Sequence, residues 1–208
     1  MDIQAARAFY AANSADERYV HDASGLAQVS DLFKAADAAG RDQIWDVFAA
    51  FALEGDRLDT IMAANFFANN PPPERVYATL VAAVLAGTHL NAAALERIVG
   101  DPRARLADAD RQALTALFVA DPGAHFTLSP TLVKHAPSGP TWDAYIAALK
   151  TMTDPALLAY GLEGACYAMR EDDYFAAFIG RDAALIDAVA ERLPSGEGDR
   201  LQAAVRAP

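Results

Sequence analysis

The chain is poor in cysteine, in lysine and in anything able to make a strand. Cys166 is the only cysteine. An internal disulfide is therefore excluded, and a cysteine-rich zinc cage has no support. A lone thiol in the apolar stretch Gly164–Met169 reads as a buried structural group, and it fits a reducing compartment. No stretch alternates apolar and polar residues with β-branched or aromatic types, so a half-buried strand has no candidate. No charge-free apolar run approaches about 18 residues, which argues against a membrane span. The first residues, Met1-Asp-Ile-Gln-Ala-Ala-Arg7, lack a basic region followed by an apolar core, so no signal peptide is expected there. Only 3 of the 17 basic residues are lysine, the other 14 being arginine. With the abundant alanine, that bias suggests a GC-rich bacterial genome, and the expected location is cytoplasmic.

What the chain has instead is alanine, 49 of 208 residues. Alanine is the strongest helix former, because it loses no side-chain rotamer freedom in a helix. The expected fold class is all-α: about 10–12 short antiparallel helices in an irregular bundle or a short HEAT-like helix-pair solenoid. A chain of this length buries roughly 70% of its unfolded surface, enough for a core without staples. Alanine buries little area, so the anchors must be the 10 Phe, 7 Tyr and 2 Trp with scattered aliphatics.

Punctuation places the helices. Asp101-Pro102, Asp121-Pro122, Asp154-Pro155 and Ser129-Pro130 each offer a capping side chain before a proline suited to the first helical position. Gly40, Gly87, Gly100 and Gly180 are the expected stops. Ile44, Val47, Phe48 and Phe51 mark one buried face, Leu58, Ile61, Met62 and Phe66 a second, and Trp142, Tyr145, Ile146 and Leu149 a third. Val76 to Leu85 and Leu157 to Met169 are apolar over a wider arc and are expected at the centre of the core. The predicted helices cover 2–12, 25–38, 42–53, 56–68, 73–86, 91–99, 103–119, 130–136, 140–151, 155–169, 172–179 and 183–193. Short links make successive helices adjacent and antiparallel.

One all-helical domain over 1–208 is expected, with a candidate internal break at 69–74, where three prolines stiffen the chain, and a fraying tail over 194–208. Helix pairs joined at Asp-Pro corners resemble HEAT-like solenoids, although no repeat of about 34–47 residues stands out.

Searches for chemistry return little. His21, His89, His125 and His135 form no HExxH or other one-turn ligand pair, and no Glu-x-x-His is present. No Gly-rich phosphate loop and no GxSxG occurs. Ser129 or Ser138 with His125 or His135 is the best hydrolytic combination, and it lacks an oxyanion signature. Two glycines inside one helix, Gly161 and Gly164, read as close packing against a neighbour. No catalytic residue, cofactor or metal is expected.

The net charge is −11. Residues 1–70 hold 11 acids against 5 bases, and 71–208 hold 17 against 12, so the acidity is spread out. Such a surface repels nucleic-acid phosphates and suits a basic protein partner. The expected function is a non-catalytic protein-binding scaffold: an adaptor, an inhibitor or a toxin-immunity protein. Its candidate contacts are Glu171, Asp172, Asp173 and Tyr174, an acidic run beside aromatics, together with Asp108 and Asp110. A bundle that holds a small molecule, lined by Tyr160 and Tyr167, and a motif-poor helical enzyme using Glu163, His125 and Tyr167 are the alternatives.

Overall fold

The computed structural model describes residues 1–14, 23–87, 89, 91–136 and 139–154, with positions 157 and 199. It is all-helical. Among the described residues there are nine α-helices, one 3₁₀ turn and no strand. None of the described helices is long and apolar enough to cross a membrane.

Backbone contacts group the chain into two compact units. The first spans Met1–Val99 with Ala104–Ala107, and the second holds Gly100–Arg103 and the chain from Asp108 onward. Charge is shared between them: 13 acids against 8 bases in the first, 15 against 9 in the second.

The first unit contains α1 (Ile3–Asn13), α2 (Ala23–Ala35), α3 (Ala38–Glu54), α4 (Arg57–Asn69), α5 (Glu74–Ala86) and α6 (Ala92–Val99). The long α3 is its spine, packed by α1, α2, α4 and α5, while α6 lies on α4 and α5. Ile44, Val47, Phe48 and Phe51 are buried as their spacing predicts. Phe48 stacks on Phe66 of α4 with ring centroids 3.8 Å apart and planes 8° from parallel. Tyr10, Phe51 and Phe67 meet Phe48 at steeper angles, and Phe33 meets Phe66 edge-on at 5.5 Å. These rings replace the area that alanine cannot bury, each pair adding about 0.5–1.5 kcal/mol beyond burial. The Asn69–Glu74 step lies inside this unit. There Pro73 opens α5 as expected, its carbonyl accepting from Val76 and Tyr77.

The second unit's described helices are α7 (Asp108–Ala120), α8 (Ser129–His135) and α9 (Pro140–Thr151), with the 3₁₀ turn Phe126–Leu128 before α8. Leu114, Phe118, Phe126, Leu128, Leu132, Tyr145 and Leu149 are buried there. Phe126 and Tyr145 lie nearly parallel, with centroids 5.8 Å apart.

Aspartate does most of the capping. Asp2, Asp37 and Asp56 each accept from amides of the following first turn. Asp154 accepts from Leu157 N, as its place before a proline predicts. Each such cap is worth about 1 kcal/mol, so part of the chain's acidity serves its helices.

Several expectations are corrected. The helix foreseen from 103 begins at Asp108. Asp101 instead makes a tight turn, its carboxylate accepting from Arg103 N at 2.8 Å and from the Arg103 guanidinium. Asp121-Pro122 opens a single uncontinued turn, closed by His125 N–H on Asp121 O. Pro130 does sit in the first turn of α8, but Ser129 makes no cap. Gly40 lies inside the first turn of α3, where its amide meets Asp37, and is no stop. Gly87 is a stop, in the left-handed conformation with φ 65°. The helices foreseen over 155–169, 172–179 and 183–193, with Cys166, Gly161, Gly164 and Gly180, lie outside the described residues except Leu157.

The largest correction concerns α4. The stripe Leu58, Ile61, Met62, Phe66 was expected inside. Phe66 is buried as expected, but Asp59, Thr60, Ala63 and Phe67 join it in place of Leu58, Ile61 and Met62, and Leu58 is 37% exposed. Leu85, expected with the wide face of α5, is 43% exposed.

Candidate functional site

The buried Asp59 is the reason α4 turns this way. Asp56 caps α4, and Asp59 returns the bond by accepting from Asp56 N–H at 3.0 Å, a reciprocal capping box. Asp59 also receives Arg7 from α1, with Nη2 2.6 Å from Oδ2, and the same nitrogen reaches Asp56 at 3.3 Å. The Asp59 side chain is 1% exposed and Arg7 33%. A carboxylate this deep needs its cation, because an unpaired buried charge costs several kcal/mol. Its other oxygen, Oδ1, is buried without a hydrogen-bond partner.

Neighbouring residues extend the arrangement. Thr60 Oγ1 donates to Asp56 O at 2.9 Å and accepts from Asn91 Nδ2 at 3.0 Å. His89 Nε2 lies 2.7 Å from Leu53 O, and its Nδ1 is 3.0 Å from Asn91 N. A carbonyl can only accept, so Nε2 carries the proton and Nδ1 accepts from the Asn91 amide. Both ring nitrogens are therefore engaged in holding the α5–α6 connection to the end of α3. Ile3 N–H donates to Glu54 Oε2 at 3.3 Å, which sets the start of α1 at the same place.

These bonds bring four chain segments to one corner of the first unit: the start of α1, the end of α3, the start of α4 and the link from α5 to α6. Among these segments and the adjoining end of α5, three large apolar residues are exposed: Met1, 50% exposed, with Leu58 and Leu85. Asp2, Glu54 and Asp56 of the same segments are also exposed. The segments held together by these bonds thus carry both exposed apolar side chains and exposed carboxylates. Chemically this suits recognition of an apolar, cationic group.

Asp108 and Asp110 occupy the first turn of α7 in the second unit, where acids complement the helix dipole. Asp108 pairs with Arg111 and its side chain is 84% exposed. Glu171, Asp172, Asp173 and Tyr174 lie outside the described residues. Ser129 is fully buried, its Oγ without a partner. Among the described residues no group of three or more His, Cys, Asp or Glu is arranged to hold a metal ion.

The corner escaped sequence reasoning, apart from one signal: Asp56-Arg-Leu-Asp59 has the spacing of a capping box, which marks Asp59 as a residue turned back toward its own helix start. No family model, curated protein or solved structure matches this chain.

Proposed function

We propose that this protein acts by binding another protein, as an adaptor, inhibitor or toxin-neutralising immunity protein in a bacterial cytoplasm. The docking surface is the corner at the start of α4, and the partner presents a basic segment studded with leucine-like side chains. One observation carries this reading: Leu58 and Leu85 sit outside the core although their helices' patterns assign them to it, and the segments that meet at this corner also hold the exposed residues Asp56 and Glu54. Apolar residues at the centre of a contact supply most of its energy, and charges around them steer and orient the partner. The overall charge of −11 favours the approach of a basic molecule.

The test is an NMR titration with a synthetic amphipathic helix carrying leucine on one face and arginine beside it. Shifts should concentrate at Met1, Leu58 and Leu85. The double variant L58D/L85D should weaken binding by about fivefold or more, since a truncated anchor costs over about 1 kcal/mol. No binding, or binding indifferent to these substitutions, overturns the reading.

A further inference from the structure

The link from α5 to α6 is fastened by a single imidazole. Leu53 O, which His89 Nε2 meets at 2.7 Å, is one of the last four carbonyls of α3 and has no partner within its own helix. On the other side of the ring, Nδ1 takes the Asn91 N–H at 3.0 Å. Asn91 begins α6: its carbonyl accepts from Ala94 N at 3.0 Å and Leu95 N at 3.1 Å. Its Nδ2 donates to Thr60 Oγ1 of α4 at 3.0 Å. The first turn of α6 is therefore tied to α3 through the ring and to α4 through the amide.

This arrangement admits only the neutral ring. A second proton would sit on Nδ1 and face the Asn91 N–H, two donors at bonding distance with no acceptor between them. On the α3 side the same proton is welcome, because Nε2–H then makes a charge-assisted bond at the negative end of a helix. The charged residues on the elements that meet here are Glu54 of α3, Asp56, Arg57 and Asp59 at the start of α4, Arg7 of α1, and Glu96 and Arg97 of α6; Glu74 and Arg75 lie at the far end of α5. Both bonds of the ring nevertheless go to backbone groups, so the conflict on protonation is with a fixed amide.

We propose that His89 is a proton-operated latch on α6. Neutral, it ties the Asn91 amide to the end of α3; protonated, it keeps α3 and releases the start of α6. Histidine is the side chain suited to such a change near neutral pH. The latch stands whether or not the corner beside it binds a protein.

The test is an NMR titration of the intact protein, with His89 assigned through its backbone. At neutral pH its nitrogen shifts should show the Nε2–H tautomer. As the ring gains its second proton, the exchange protection of the Asn91 amide, corrected for the intrinsic effect of pH, should fall about fivefold or more, the loss expected for one hydrogen bond. The amide of Phe48, in the buried middle of α3, should keep its protection. An Nδ1–H tautomer, an Asn91 amide indifferent to the ring's titration, or an equal loss at Phe48 overturns the latch. In H89Q the pH dependence at Asn91 should vanish, and its persistence there also overturns the latch. If H89Q fails to fold, the signals of the unmodified protein decide.

Discussion

Arg7 of α1 and Asp59 of α4 meet at 2.6 Å across fifty-two residues of sequence, and this pair decides which face of α4 enters the core. Asp59 is buried while Arg7 keeps contact with solvent. The two ends of the bridge are therefore unequal. Arg7→Met leaves a buried carboxylate without its cation and should cost about 2–4 kcal/mol, near the range for breaking a buried pair. R7M/D59A removes the stranded charge too, and should be less destabilised than the sum of the single variants by about 1–3 kcal/mol. Urea unfolding of the four proteins in the cycle measures both quantities.

Gly55 joins α3 to α4 with φ −78°, a backbone that any residue adopts, so glycine is required for room. A Cβ there would sit 2.8 Å from Asp59 Oδ2 and closer still to Asp59 Cβ and Phe51 O. Gly55→Ala should destabilise by about 1–3 kcal/mol, the usual cost of overpacking. In the R7M/D59A background most of that loss should remain, because alanine keeps the Cβ at position 59 and Phe51 O is backbone, which chemical denaturation of both backgrounds would show.

Phe66 is fully buried, stacked on Phe48 and edge-on to Phe33. Phe66→Ala should cost about 3–5 kcal/mol, and Phe66→Leu less, because the cavity is smaller. Calorimetric melting with urea midpoints checks the order.

His135 gives a pH dependence of known sign. Its folded pKa lies below the unfolded value of about 6.5, so between those two values the unfolded chain binds more protons. Stability should therefore fall on acidification through that window and be restored above it. His135→Gln should flatten that part of the stability curve, measured as urea midpoints against pH.

Much of the helical layout is legible because alanine sets a strong helical background and Asp and Pro punctuate it. Helices α4, α5, α6 and α9 fall within a residue or two of the predicted spans. Asp101-Pro102 misleads because a tight turn and a helix cap use the same carboxylate-to-amide bond. Arg103, whose guanidinium occupies that carboxylate, tips the choice to a turn. The orientation of α4 was not legible for a different reason. Two faces share Phe66, and hydrophobicity alone selects the one with Leu58, Ile61 and Met62. The face that wins carries Asp59, and its burial depends on an arginine far away in the chain. The exposure of Leu58 follows from that choice, so it could not be seen in any local pattern.

The most direct test of that corner is photo-crosslinking from position 58 inside the producing cell, with a benzophenone side chain, against position 119 in α7 as the control. Val119 is 38% exposed, matching Leu58. The account predicts that position 58 captures one protein through a peptide rich in arginine or lysine and leucine-like residues, identified by mass spectrometry, and that position 119 does not. Equal capture from both positions, or a crosslinked peptide that is acidic, would contradict it.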